Sequence, residues 1–298
     1  VGDLGQAAAA SGATAHRIGG RGGRSFYRLL KRPFFGRFMK PWRWPAGVPE
    51  HAYARVQITS RSGAMLHALT RRTPAAPRGV VVLAHPMGLA AKGFWLKFGH
   101  ADEFAARGFH VLAFDFNGFG ESESSNFDYP GDLIAVAQFG RRQWPGLPLV
   151  AVGASFGAMR ALEAAAQVPE LFDAVVAEAA APSLPDFWKH YPLPYAMLQV
   201  SRWVVPAWER NLRPTHLIGK AQNLPPLLLI HSAADRWTPP AFGDRIEAAA
   251  KDRGRVERLI VEGAEHTHAF RDARDSYTSK VFSFLESLDK SLDKNREP

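Results

Sequence analysis

Cysteine is absent from the 298-residue chain. That excludes a disulfide framework, a thiolate metal site and a cysteine nucleophile. Long apolar runs are missing too, since none reaches the roughly 18 residues that a bilayer-spanning helix needs. Residues 1–15 are small and polar, without the charged-then-apolar order of a secretory leader. Acidic residues are nearly absent from the first 49 positions, where Asp3 stands alone against nine bases between Arg17 and Arg43. The rest of the chain carries 28 bases and 27 acids, so the net charge of +9 belongs almost wholly to an N-terminal arm. A near-neutral body argues against a nucleic-acid-binding surface. The expectation from these absences is a cytoplasmic protein whose basic arm offers peripheral contact to a membrane.

What is present suits a large globular core: 46% of the residues are hydrophobic. Residues 1–49 read as the arm and 50–298 as one domain. Within the arm, residues 1–24 lack any sustained period and are expected to be loosely attached. Residues 28–45 interleave bases with large apolar groups, and Pro33, Pro41 and Pro45 are expected to limit helix there to short pieces. The aromatic groups of this stretch either pack on the body or touch a membrane or the site.

From Arg55 the chain alternates strands and helices. A hairpin is expected around Arg61-Ser62-Gly63, then a buried strand over Gly79–Ala84 and a helix over Phe94–Arg107 stopped by Gly108. Further strands are expected at Phe109–Phe114, Leu149–Val152, Phe172–Ala177, Leu227–His231 and Val256–Val261. Helices are expected over Phe242–Lys251 and Val281–Leu292. Such alternation implies a mainly parallel sheet covered on both faces. From 182 to 223 a Pro- and aromatic-rich insert breaks the rhythm. It follows one strand's C-terminal end, the edge where ligands bind in such sheets, and reads as a small helical lid. Its aromatics Trp188, Tyr191 and Trp203, with Trp237 and His85 nearby in the expected fold, are candidate substrate contacts.

The chemistry centres on Gly153-Ala154-Ser155-Phe156-Gly157, set between a strand and a helix. Gly-x-Ser-x-Gly at such a turn is a nucleophile elbow: small neighbours permit the sharp bend, and the bend lifts the serine oxygen out of the sheet. A serine hydroxyl needs a base, and the base needs an orienting carboxylate. Asp235, past the Leu227–His231 strand, and His266, past the last strand, stand where these partners belong. Glu178 is the alternative acid and His268 the alternative base. An oxyanion hole needs two N–H donors. Phe156 supplies one, and Met87 in His85-Pro86-Met87-Gly88 the other, since Pro86 has no N–H. The glycines of Asp115-Phe116-Asn117-Gly118-Phe119-Gly120 read as a turn rather than a phosphate cradle. The histidines show no metal-ligand spacing, and neither metal nor cofactor is expected.

His85-Pro86-Met87-Gly88, Asp115-x-x-Gly118-x-Gly120-x-Ser122, the elbow, Asp235 before Thr238-Pro239, and Gly263-Ala264-Glu265-His266 follow one another in the order of the α/β-hydrolase superfamily, which the chain resembles from about Arg55 to Leu292. Pro86 departs from the glycine that the family often has there. The resemblance implies an α/β fold: an eight-stranded, mostly parallel sheet with an antiparallel first hairpin, flanked by helices. It also implies a serine hydrolase acting on a carboxylic ester or thioester. The aromatic insert points to a hydrophobic acyl or aryl group. Peptidase, acyltransferase and cofactor-free haloperoxidase chemistry use the same three residues, and a non-catalytic binding protein on this scaffold is the rival of another class.

Overall fold

The computed structural model describes residues 21–294 except 207–209 and 211. Most of the segment expected to be loosely attached, and Trp208 of the insert, therefore lie outside the described residues.

Eight strands form one sheet: β1 (Ala54–Thr59), β2 (Met65–Arg71), β3 (Gly79–Ala84), β4 (Phe109–Phe114), β5 (Leu149–Ala154), β6 (Ala174–Glu178), β7 (Leu227–Ser232) and β8 (Val256–Val261). Their order is β1-β2-β4-β3-β5-β6-β7-β8. β2 pairs antiparallel with β1 and β4, and all other pairs are parallel. Every residue of β3 to β7 is buried, whereas the edge strands β1 and β8 are largely open. This is why the central strands read as unbroken apolar runs: helices cover both faces of a parallel sheet. Burying each of their Val and Leu side chains stabilises the fold by about 1.5–3 kcal/mol.

The helices are α1 (Arg21–Phe35), α2 (Gly93–Lys97), α3 (His100–Ala106), α4 (Tyr129–Gln143), α5 (Phe156–Gln167), α6 (Leu184–Trp188), α7 (Pro192–Val204), α8 (Pro214–Lys220), α9 (Pro240–Ala250), α10 (Ala269–Asp272) and α11 (Arg274–Lys294). Three differ from expectation. The helix read over 94–107 is two helices, parted where Gly99 takes φ 81°. The last helix begins at Arg274, seven residues early. The arm holds a 15-residue helix with Pro33 inside it. Pro33 leaves the Leu29 carbonyl without its N–H partner from residue 33, and the helix ends two residues later at Phe35.

The described arm is fastened to the body. Phe35 and Trp42 are buried. Lys31 is buried too, bonded to Asn117 and 4.8 Å above the Tyr129 ring. Burial pulls its ammonium down to about 7, against the pull of Asp132 in the other direction. Trp42 donates to Glu121 at 2.7 Å and covers Gly93, where a Cβ would lie 2.7 Å from its ring. Exposed Arg28, Arg32, Arg37, Lys40 and Arg43 keep the basic face in water.

Strand order reverses between β3 and β5: β3 leads to β4 on one side, and β5 to β6 on the other. A crevice opens outside the C-terminal ends of two such strands. The His85–Gly88 turn and Ser155 sit there.

Candidate active site

The elbow is built by close approach of backbone. Ser155 has φ 49° and ψ −109°, a region that side-chain-bearing residues rarely adopt and that costs about 1–3 kcal/mol. Its N–H bonds to the Glu178 carbonyl at 2.8 Å, and its carbonyl accepts from Met159 at 3.1 Å to start α5. A Cβ on Gly153 would lie 2.6 Å from Ala158 Cα. One on Gly157 would lie 2.7 Å from the His85 carbonyl oxygen and closer still to that of Ala84. Both glycines are therefore required by contact between β3, β5 and α5.

Ser155 Oγ lies 2.8 Å from His266 Nε2, and His266 Nδ1 lies 2.6 Å from Asp235 Oδ2. Ser155 and Asp235 are buried, and His266 is partly open. Asp235 also accepts from the Thr238 hydroxyl at 2.6 Å and from the Trp237 and Thr238 N–H groups at 2.8 and 3.1 Å. Burial alone would raise the Asp235 pKa. The hydrogen bond and charge of His266, with the Thr238 bonds, outweigh it and hold the group at about 2. Asp235 is thus ionised at any ordinary pH. The two loops are tied together, because Ser232 Oγ, just before the Asp235 loop, donates to Ala264 O at 2.6 Å.

His268 turns away from the serine. Its ring packs 5.3 Å from Phe98, and its Nδ1 lies 3.4 Å from the Glu265 carboxylate. Glu178 accepts from the Ala269 N–H at 3.0 Å beneath the His266 loop. Burial pushes its carboxyl up to about 7; the Ala269 bond opposes this, while Asp235 and Asp272 add to it. A raised carboxyl favours the folded state while protonated. Its contribution is full below the unfolded value of 4.5 and is lost as pH rises through 7. Glu178→Gln, neutral at every pH, should therefore gain stability over the wild type between pH 5 and 8, by on the order of 3 kcal/mol. Parallel thermal-unfolding curves for the two proteins across that range would contradict this.

Met87 and Phe156 face the same crevice. Among the described residues neither main-chain N–H donates a hydrogen bond, as donors held for a ligand would require. Trp188 from α6 joins their side chains in lining a small apolar cavity with Phe35, Leu184 and Phe187.

Two expected substrate contacts are corrected. His85 is fully buried with both ring nitrogens engaged: Nδ1 to the Pro86 carbonyl at 2.8 Å, Nε2 accepting from the Phe116 N–H at 3.2 Å. Burial lowers its pKa, the neutral ring has no free atom for a ligand, and its work is to set the turn before Met87. Trp203 is 84% exposed on the outer side of α7, because the helical period turns Pro194 and Leu198 inward instead. Tyr191 and Trp237 stack on each other at 5.7 Å and border neither this cavity nor a second one beside it. Sequence reasoning missed Thr238 as the second brace of Asp235, though Thr238-Pro239 had been part of the motif. It also missed Phe35, Phe187 and Met159 as cavity walls, for which no local pattern exists.

The sheet order, the elbow and its partners are those of the α/β-hydrolase fold. Residues 75–223, half of the 298-residue chain, match the model of the family described as serine aminopeptidase, S33, and the chain belongs to that family. Solved structures share the fold at low identity. An esterase of Pyrococcus furiosus matches with TM-score 0.66 and 18% identity over 83% of this chain and 95% of its own. A highly thermostable carboxyl esterase of Bacillus coagulans matches with TM-score 0.63 and 17% identity over 80% and 99%. An acylaminoacyl peptidase of Pyrococcus horikoshii matches with TM-score 0.58 and 16% identity over 80% and 41%. No curated protein matched the sequence.

Proposed function

We propose that the protein hydrolyses a carboxylic ester or thioester with a hydrophobic acyl or aryl group, through an acyl-enzyme on Ser155. The observation that carries this reading is the hydrogen-bonded chain from Ser155 through His266 to Asp235, at 2.8 and 2.6 Å. His266 takes the Ser155 proton as Oγ attacks the carbonyl carbon, and Asp235, ionised, orients the ring and stabilises its cationic form. The Phe156 and Met87 N–H groups hold the oxyanion, helped by the positive end of α5. His266 then returns the proton to the departing alcohol or thiol. Water, deprotonated by the same His266, cleaves the acyl-enzyme. The insert, through Leu184, Phe187 and Trp188, acts as a lid that keeps the acyl group dry.

The same machinery serves peptidases, and the family description names an aminopeptidase. An aminopeptidase needs a carboxylate to hold the substrate's ammonium, and neither cavity beside Ser155 is lined by one. The test compares p-nitrophenyl alkanoates of rising length with aminoacyl p-nitroanilides. Turnover of the esters that is lost in Ser155→Ala is expected. Turnover of the anilides alone would replace the ester reading by the peptidase one.

A membrane-facing role has its own support. The outward positions of α7 include Leu193, Val200, Trp203 and Val204, and those of α1 include Phe26 and Leu29, all exposed. Exposed Arg28 and Arg32 flank the latter, and neither helix holds an acid. Apolar groups beside bases fit an anionic lipid surface. No described helix is long and apolar enough to cross a membrane. Flotation with vesicles rich in phosphatidylserine should carry the wild type and release Trp203→Glu. Equal flotation of both would reject this surface.

A further inference from the structure

Two small cavities lie side by side next to the elbow and share three walls: Phe35, Phe156 and Leu184. The first reaches Met87, and the second runs on to Leu198 and Leu212 of the insert. Each has room for about one water molecule, too little for an alkyl chain. The walls named are apolar, so volume and not polarity keeps methylenes out.

Phe35 takes up that volume. Its ring is 2% exposed and meets those of Phe119, Tyr129 and Phe156 edge to face, with centroids 5.6, 5.7 and 5.5 Å away. It comes from the arm, at the end of α1, and is fixed from both sides: Lys31 bonds to Asn117 before it, and Trp42 to Glu121 after it. The other two shared walls belong to the body, Phe156 in the elbow and Leu184 at the start of α6. Phe35 alone of the three lies outside residues 75–223, the part that matches the family. A packed interior leaves few voids larger than a water, and a ring taken out of one leaves a gap that its neighbours fill only in part. Without the Phe35 ring the two cavities would join into one apolar trough leading away from Met87 and Phe156.

We propose that Phe35 sets the upper limit on the length of the acyl group that Ser155 accepts, admitting short chains and blocking long ones. The arm thereby supplies a specificity-determining residue to a site whose reacting groups all lie in the body. The acyl carbonyl sits between Ser155 Oγ and the N–H groups of Met87 and Phe156, and the chain behind it points at the Phe35 ring. This rests on the serine-hydrolase reading above.

The test uses the full chain and p-nitrophenyl acetate, butyrate, hexanoate and octanoate. The wild type should turn over acetate or butyrate best, with kcat/KM falling at the longer esters. Each methylene newly taken out of water is worth about fourfold in kcat/KM. In Phe35→Ala the ratio of kcat/KM for hexanoate to that for acetate should therefore rise about tenfold or more. Phe35→Leu, which keeps part of the volume, should raise it a few-fold, and it carries the test by itself should Phe35→Ala not fold. Trp42→Ala is the control: it loosens the arm without touching either cavity, and the chain-length profile should keep its wild-type form. A wild type whose kcat/KM still climbs at octanoate overturns the proposal. So does a ratio unchanged in the Phe35 variants, or one raised as much by Trp42→Ala as by Phe35→Ala. Ester turnover that Ser155→Ala abolishes leaves the hydrolase reading standing whichever way the ratio falls. No turnover of any ester by the wild type removes both.

Discussion

His266→Ala is expected to lower kcat/KM for a p-nitrophenyl ester by about 10⁴-fold or more, the loss seen when the base of such a constellation is removed. His268→Ala, two residues on, should cost less than about tenfold, since it removes packing and no reacting proton. The reason is geometric. His266 Nε2 stands 2.8 Å from Ser155 Oγ, while His268 packs against Phe98. The intervening Thr267 has φ 63°, which turns the chain sharply between the two rings. The sequence favours His266 and keeps His268 as the alternative, because a loop past the last strand can present either one. Kinetics on the two variants, each with its unfolding temperature recorded, decides the matter. Retention of activity in His266→Ala, with loss in His268→Ala, would exchange their roles.

The second large effect concerns the fold. Gly157→Ala should cost at least about 3 kcal/mol, beyond the range of ordinary overpacking. The added Cβ would meet the carbonyl groups of Ala84 and His85, which are backbone at the end of β3. A flexible side chain could move aside, but this backbone is held in the parallel pairing of β3 with β4 and β5. For a domain of this size the loss corresponds to a fall of about 6–12 °C in Tm. It should carry activity with it, because the same contact places Met87 and Phe156 across the crevice. Gly219→Ala is the control: its Cβ would come no nearer than 4.0 Å to any atom beyond its own helix, and its Tm should be unchanged or slightly raised. Equal Tm values for Gly157→Ala and the wild type would show that α5 does not lie against β3 as described.

These two cases also show how far the sequence could be read. The elbow was legible because its demand is local: two glycines and a serine at one bend. Asp235 and His266 were legible because strand ends in a parallel sheet share one edge, so position after a strand already implies nearness to Ser155. The fold followed from the apolar runs of β3 to β7. What escaped depends on contacts that no local pattern carries. His85 is neutralised as a ligand by the Phe116 N–H, a group of the loop after β4. Phe35 reaches Phe156 across 121 residues of chain, with ring centroids 5.5 Å apart. Trp203 was misread because the insert's aromatic content is visible in sequence, whereas the side of α7 that faces the cavity is not. The arm's helix was missed because Pro33 reads as a break and acts only near the end.

The central claim is that Ser155 is a nucleophile activated by His266. Labelling with a fluorophosphonate, followed by peptide mass mapping, tests it most directly. One phosphonylated residue, Ser155, is expected in the wild type, and no labelling in Ser155→Ala or His266→Ala at temperatures where both remain folded. An unlabelled wild type with intact fold, or undiminished labelling of Ser155→Ala, would contradict it.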